Sequence, residues 1–228
     1  MLLPCTLLLR AGQENSPATP SVDDHGTFVL SASGRKFGTE KFSIRSSQDK
    51  IEAEAEIQLS ESDSGHTASI QTYPKLVLDR NLIPQTYLWS TKGPQQYNLV
   101  VDFTGDIAKR QLHRPDGKDD IREFNLPKDV VVLDNNVIHH YQLLAGRFFQ
   151  ASGGKQAFQA YIPQDAVPGL VTVQDAGMES IDFRGKPETF RHLVVLTDNA
   201  EIDMWLDAQN HLQRLLFPSA KGEAVRQP

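Results

Sequence analysis

Nine consecutive residues constrain this chain more than any other feature: Ile51, Ala53, Ala55, Ile57 and Leu59 alternate strictly with Glu52, Glu54, Glu56 and Gln58. A helix would scatter those apolar side chains around its circumference, whereas a strand sets all of them on one face and the polar ones on the other. The segment reads as a strand that is half buried and half wet. The same alternation, less pure, marks residues 28–33 and 38–46, joined across Ser33-Gly34-Arg35-Lys36, where Gly34 can take the positive φ of a tight hairpin.

Further strands are expected at 66–73, 85–91, 96–103, 107–113 and 121–124. Their separators, Lys92-Gly93-Pro94, Thr104-Gly105-Asp106 and Pro115-Asp116-Gly117-Lys118, carry turn chemistry at short spacing, which favours antiparallel meanders over helical crossovers. One segment departs from the pattern. In 134–150, Val137, Tyr141, Leu144 and Phe148 recur at the three-and-four spacing of one helical face, Asp134 to Asn136 offer capping side chains, and Gly153-Gly154 supplies a stop. After this helix, strands are expected at 155–162, 170–174, 178–183, 190–197, 201–207 and 211–217, with a tail that pairs briefly or frays.

The chain of 228 residues suits one domain. The expected fold is mainly β: a large curved antiparallel sheet, a half-barrel or open barrel, with one amphipathic helix at about 135–150 packed against it. That domain spans 26–228 and follows a flexible segment or signal-peptide remnant, 1–25.

The net charge of −6, with basic residues scattered in pairs, leaves no continuous positive face for a phosphate backbone, so nucleic acid is not expected as a partner. No apolar run reaches the ~20 residues of a membrane-spanning helix. Cys5 is the only cysteine, which excludes an intramolecular disulfide and a cysteine-based zinc cluster. The stretch from Met1 to Leu9 looks like the apolar centre of a secretory signal, which puts the expected location in the periplasm or cell envelope; a disordered cytosolic start is the alternative. Pro4 makes Leu2-Leu3-Pro4-Cys5 a poor lipoprotein cleavage box.

Chemistry-bearing residues do not assemble into a known reaction pattern. Adjacent helical residues such as His139 and His140 point about 100° apart and cannot comfortably share a metal, so one is expected half buried and the other solvated. His192 with Asp198, or His211 with Asp203 and Asp207, can be drawn as acid–base sets, but no nucleophile elbow or zinc motif accompanies them. Gly153-Gly154 sits at a helix C-terminus, where the dipole repels phosphate. No catalytic residue, metal ligand or cofactor is assigned. The remaining candidates are apolar: Trp89, Tyr141, Leu144, Phe148 and Trp205, which could line a greasy cavity lidded by the helix or could simply fill a core.

The opening hairpin, Phe28 to Ile44, and the closing Met204-Trp205-Leu206-Asp207-Ala208-Gln209-Asn210-His211-Leu212-Gln213-Arg214 resemble bacterial exported domains of unknown function. These share a half-barrel shape with the periplasmic lipoprotein carriers of the Lol system. The resemblance implies an envelope protein with a lipid or other hydrophobic ligand, and it speaks for fold more than for activity. The functional expectation is thus a non-enzymatic envelope protein that binds a hydrophobic molecule. The alternatives are a solid-core module that binds an envelope protein through a strand edge or the Glu52 to Gln58 face, and, less favoured, a hydrolase.

Overall fold

Alternation and turn chemistry build one continuous meander. The computed structural model describes residues 23–63, 66–92, 96–151 and 154–228; the Met1 to Leu9 stretch, Gly93, Pro94 and Gly153 lie outside the described residues. In chain order the strands are β1 (Asp24–Ala32), β2 (Arg35–Ser46), β3 (Lys50–Asp63), β4 (His66–Thr72), β5 (Lys75–Asp79), β6 (Pro84–Lys92), β7 (Asn98–Asp102), β8 (Ala108–His113), β9 (Asp120–Phe124) and β10 (Val131–Val132). Helix α1 (His139–Gln150) follows, and then β11 (Lys155–Ile162), β12 (Val167–Phe183), β13 (Lys186–Leu196), β14 (Glu201–Leu206), β15 (Leu212–Phe217) and β16 (Gly222–Arg226).

All of these strands join one sheet in the order β10-β11-β12-β13-β14-β15-β16-β1-β2-β3-β4-β6-β7-β8-β9, with β5 between β3 and β6. The ladder is antiparallel except where β10 meets β11. Because β9 and β10 are not hydrogen bonded to each other, the barrel stays open. Side chains bridge the seam instead. The buried Arg110 of β8 donates to the carbonyls of Pro163 (2.8 Å) and Gln164 (3.2 Å), and Tyr161 of β11 packs on Phe124 with ring centroids 5.0 Å apart.

Local sequence explains the tight places. Ser33 and Gly34 both take positive φ, at 51° and 73°, which is the two-residue hairpin turn whose twist matches its strands. Gly38 has no room for a side chain, since a Cβ there would lie 2.7 Å from the Gln58 carbonyl oxygen on β3. The expected strands at 170–174 and 178–183 are one strand, β12, interrupted by a register shift between Asp175 and Gly177; Gly177 adopts φ 93° there and donates its N–H to Asp175 Oδ1 at 2.9 Å.

The concave face and the helix share one core. Alternate residues such as Phe28, Leu30, Phe42, Ile44, Ile51, Ala53 and Ile57 point inward and meet Leu143, Leu144, Ala145 and Phe148 of α1. Polar tethers fix the helix as well: Gln142 donates to the Asn210 carbonyl at 2.9 Å and accepts from the Leu212 N–H at 2.5 Å. The helix begins at His139, later than the side chains of Asp134 to Asn136 suggest, because its first N–H groups are capped from across the fold and not by a local residue.

Candidate functional site

Where several strand ends converge below the segment that leads into α1, the fold leaves a half-open cavity of about 800 Å³, within the range typical of ligand sites. Its apolar wall is built by Leu30 of β1, Phe37 of β2, Val171 of β12, Phe217 of β15, and Ile138 and Tyr141 at the start of the helix. The sequence brings Phe37 here through a bulge. Leu30 pairs with Gly38 and Ser31 with Lys36, so Phe37 is the extra residue, released from the alternation of its strand. Phe217 presents its ring edge-on to Tyr141 with centroids 5.9 Å apart. At the mouth, Val167 and Leu170 of β12 are 47% and 45% exposed, two large aliphatic side chains left in contact with water beside an apolar wall.

Behind the cavity lies a buried polar assembly that sequence reasoning missed. Glu40 of β2 is fully buried and accepts the backbone N–H of Ile138 at 2.6 Å and of His139 at 2.8 Å; His139 Nδ1 lies 2.9 Å from the same carboxylate. A carboxylate here satisfies two of the otherwise unpartnered donors of the helix start and complements the positive end of its dipole. Because an ionised carboxylate only accepts, the His139 proton sits on Nδ1. His140 is arranged in the opposite sense: its Nδ1 accepts the Asp134 N–H at 3.2 Å, so its proton sits on Nε2. Asp134 in turn accepts the Tyr87 hydroxyl at 2.5 Å and the N–H groups of Asn135 and Gln164 at 3.0 and 3.1 Å. Both histidines are fully buried, which corrects the expectation that one would be solvated: the whole helix N-terminus is inside the half-barrel. Among the described residues no group of three or more His, Cys, Asp or Glu side chains is placed to hold a metal ion.

This assembly has a pH signature. Burial, reinforced by the neighbouring His139, pushes the His140 imidazole well below its ordinary 6.5. The unfolded chain takes up a proton at this residue below about pH 6.5 and the folded chain does not, so unfolding binds a proton and stability falls as pH drops through that window. The expected slope is about 1.4 kcal/mol per pH unit below 6.5, until the folded residue itself titrates. Burial raises the Asp134 carboxyl, whose contribution has the opposite sign and acts between its raised folded value and its ordinary 3.8. His140→Asn keeps an acceptor for the Asp134 N–H and removes the titration. Urea denaturation between pH 5 and 7.5 should therefore show a shallower slope for the variant, and equal slopes would assign the acid sensitivity elsewhere.

The five apolar candidates do not share one site. Tyr141 lines the cavity. Trp89 packs at a tilt against Tyr97, with ring centroids 5.0 Å apart, and lines a second, smaller cavity of about 560 Å³ with Leu99 and Arg110. Leu144 and Phe148 point into the filled core and do not line the cavity. Trp205 lies on the outer face, where the far half of the β12–β13 hairpin covers it in a small cluster with Phe183 and Phe190. His192 stacks on Trp205 at 4.9 Å and lies between Glu179 (3.0 Å) and Asp203 (2.9 Å), so the set that can be drawn with Asp198 is not formed. His211 lies 3.9 Å from Asp207. Neither histidine lines a cavity described above.

One signal could have exposed Glu40. Gly38, Glu40, Phe42 and Ile44 occupy the inward register of β2, and a glutamate among core positions calls for a buried partner. Phe37 and Phe217 carry no such mark, since their placement depends on a bulge and on distant strand ends.

The fold defines an open, barrel-like antiparallel sheet wrapped around one helix. It is similar to the crystal structure of a β-barrel-like protein of the domain of unknown function DUF1849 from Brucella abortus, with a TM-score of 0.61 at 8% identity over 92% of this chain and 97% of that one. A DUF1089 family protein from Pseudomonas aeruginosa superimposes with a TM-score of 0.49 at 14% identity over 95% of this chain and 98% of that one. No protein-family model and no curated protein matches the sequence. At 8% identity the likeness to the DUF1849 protein is one of fold alone.

Proposed function

We propose that this protein is a non-catalytic binder of an apolar ligand in the bacterial cell envelope, and that the ligand occupies the cavity between the helix start and the ends of β1, β12 and β16. The observation that carries the reading is the cavity itself: about 800 Å³, half open, walled by Leu30, Phe37, Tyr141, Val171 and Phe217 and flanked by the exposed Val167 and Leu170. Protein interiors are close packed, and a space of this size at the end of an otherwise filled core can hold an acyl chain or a comparable apolar body. Each Å² of apolar surface removed from water would contribute about 25 cal/mol before the costs of association. The non-catalytic part of the reading is supported by a lining that offers no histidine, lysine or cysteine among the described residues. The envelope location is supported by the apolar stretch from Met1 to Leu9 and accords with the resemblance to exported half-barrel domains.

The test is a fluorescence titration with N-phenyl-1-naphthylamine, a neutral apolar dye. Saturable binding is expected, and Leu170→Asp, a change at an exposed position, should weaken it about tenfold or more without altering the thermal midpoint. Absence of saturable binding to the unaltered protein would reject the reading. A Leu170→Asp affinity equal to that of the unaltered protein would move the site away from this cavity.

A further inference from the structure

We infer that the ligand is an uncharged amphiphile whose polar end carries a neutral oxygen acceptor for the Tyr141 hydroxyl, and that ionised lipids such as free fatty acids are selected against. The inference rests on the cavity reading above and narrows it to a chemical class.

Charge is almost absent from the wall. No lysine, arginine or histidine lines the cavity among the described residues. Three carboxylate residues contribute to the lining, and two of these are already engaged. Asp134 accepts from Tyr87, Asn135 and Gln164. Glu223 belongs to the outer side of β16, where it pairs with Arg214 at 2.7 Å, and that guanidinium lies over the outer-face Trp205. The third, Asp198, is exposed in the turn between β13 and β14, at the rim. Arg35, Lys36 and Lys221, which neighbour lining residues in sequence, are exposed and are not part of the wall. A carboxylate head drawn into this space would lose water and meet no opposite charge, and an ammonium head would find only Asp198 at the solvated rim, a desolvation cost that a neutral head avoids.

The same wall holds one phenol. Tyr141 is half-buried and lines the cavity, its ring held by Phe217 and by the helix, so its hydroxyl is a donor that a ligand can reach. Burial raises this phenol, so it remains an O–H donor throughout the physiological range. The neutral side chains of Asn136 and Asn199 stand exposed along the lining and can solvate the rest of an uncharged head, such as a glycerol or an ester. Apolar wall, single phenolic donor and amide rim together describe a ligand with a greasy body and a hydroxyl or carbonyl end.

Displacement of N-phenyl-1-naphthylamine by three molecules with the same twelve-carbon chain, each kept below its micelle concentration, tests this: 1-lauroylglycerol, laurate and dodecyltrimethylammonium. 1-Lauroylglycerol is expected to displace the dye at about a tenfold lower concentration than either ion. Tyr141→Phe should narrow the ratio of 1-lauroylglycerol to dodecyltrimethylammonium affinity about fivefold, the loss expected for one neutral hydrogen bond that the ammonium, having no acceptor, never makes. If either ion displaces the dye as well as 1-lauroylglycerol does, the inference is overturned. An unchanged ratio in Tyr141→Phe would overturn the role of the hydroxyl. A failure confined to this ranking leaves the cavity reading intact, whereas failure of the dye to bind at all removes both.

Discussion

Glu40→Ala should cost about 3–5 kcal/mol of folding stability, because three buried donors lose their acceptor at about 1–3 kcal/mol apiece. The carboxylate is fully buried, and its loss leaves two helix N–H groups and His139 Nδ1 without an acceptor, 2.6, 2.8 and 2.9 Å from where its oxygens stand. Each orphaned donor carries its own desolvation penalty, so the effect exceeds the worth of any one hydrogen bond. For a chain of this size the thermal midpoint should fall by about 10 °C or more. Glu40→Gln keeps one accepting oxygen and should lose less. The double change Glu40→Leu with His139→Leu removes carboxylate and imidazole together and should recover part of the loss. Denaturation of the set by urea measures the coupling directly. A Glu40→Ala loss below about 1 kcal/mol would show that the helix start does not depend on this cap.

The cap also shows where sequence reading stops. The sheet was legible because period-two alternation and turn chemistry are local: Ile51 to Leu59 declares its two faces without reference to the rest of the chain, and Ser33-Gly34 declares its hairpin. The helix was legible from Val137, Tyr141, Leu144 and Phe148, but its true start was not, because the residue that caps it lies in β2, ninety-eight positions before Ile138. The candidate site was legible only through Tyr141. Leu144, Phe148 and Trp205 are as apolar as any lining residue, and nothing local tells a core position or an outer-face cluster from a cavity wall; that distinction belongs to the curvature of the whole sheet. The sequence of β12 reads as two strands because a bulge interrupts alternation without ending the pairing. β10 was invisible, since its two residues are ordered by parallel pairing with β11 and not by any pattern of their own.

The C-terminal tail is the largest departure from what the sequence suggests, and its removal should have the largest effect. Gly222 to Arg226 carries little alternation, yet β16 occupies the interior of the sheet between β15 and β1, pairing Val225 with Arg214 on one side and with Val29 on the other. Deleting residues 222–228 therefore cuts the sheet in two, exposes ladder groups of both neighbours and strands the buried Asp24 carboxylate, which Arg226 otherwise holds at 2.9 and 2.5 Å. Total stabilities of ordinary domains are only about 5–15 kcal/mol, so the truncated chain is expected to lose cooperative unfolding. Circular dichroism melts and limited proteolysis of the truncated and full chains give the comparison, with Arg226→Ala separating the ion pair from the strand. A synthetic peptide of residues 219–228 should restore protease resistance to the truncated chain by adding back the missing strand between two waiting edges. If the truncated chain melts cooperatively within a few degrees of the full one, β16 is dispensable and the halves on either side of it hold together through the helix and the concave core alone.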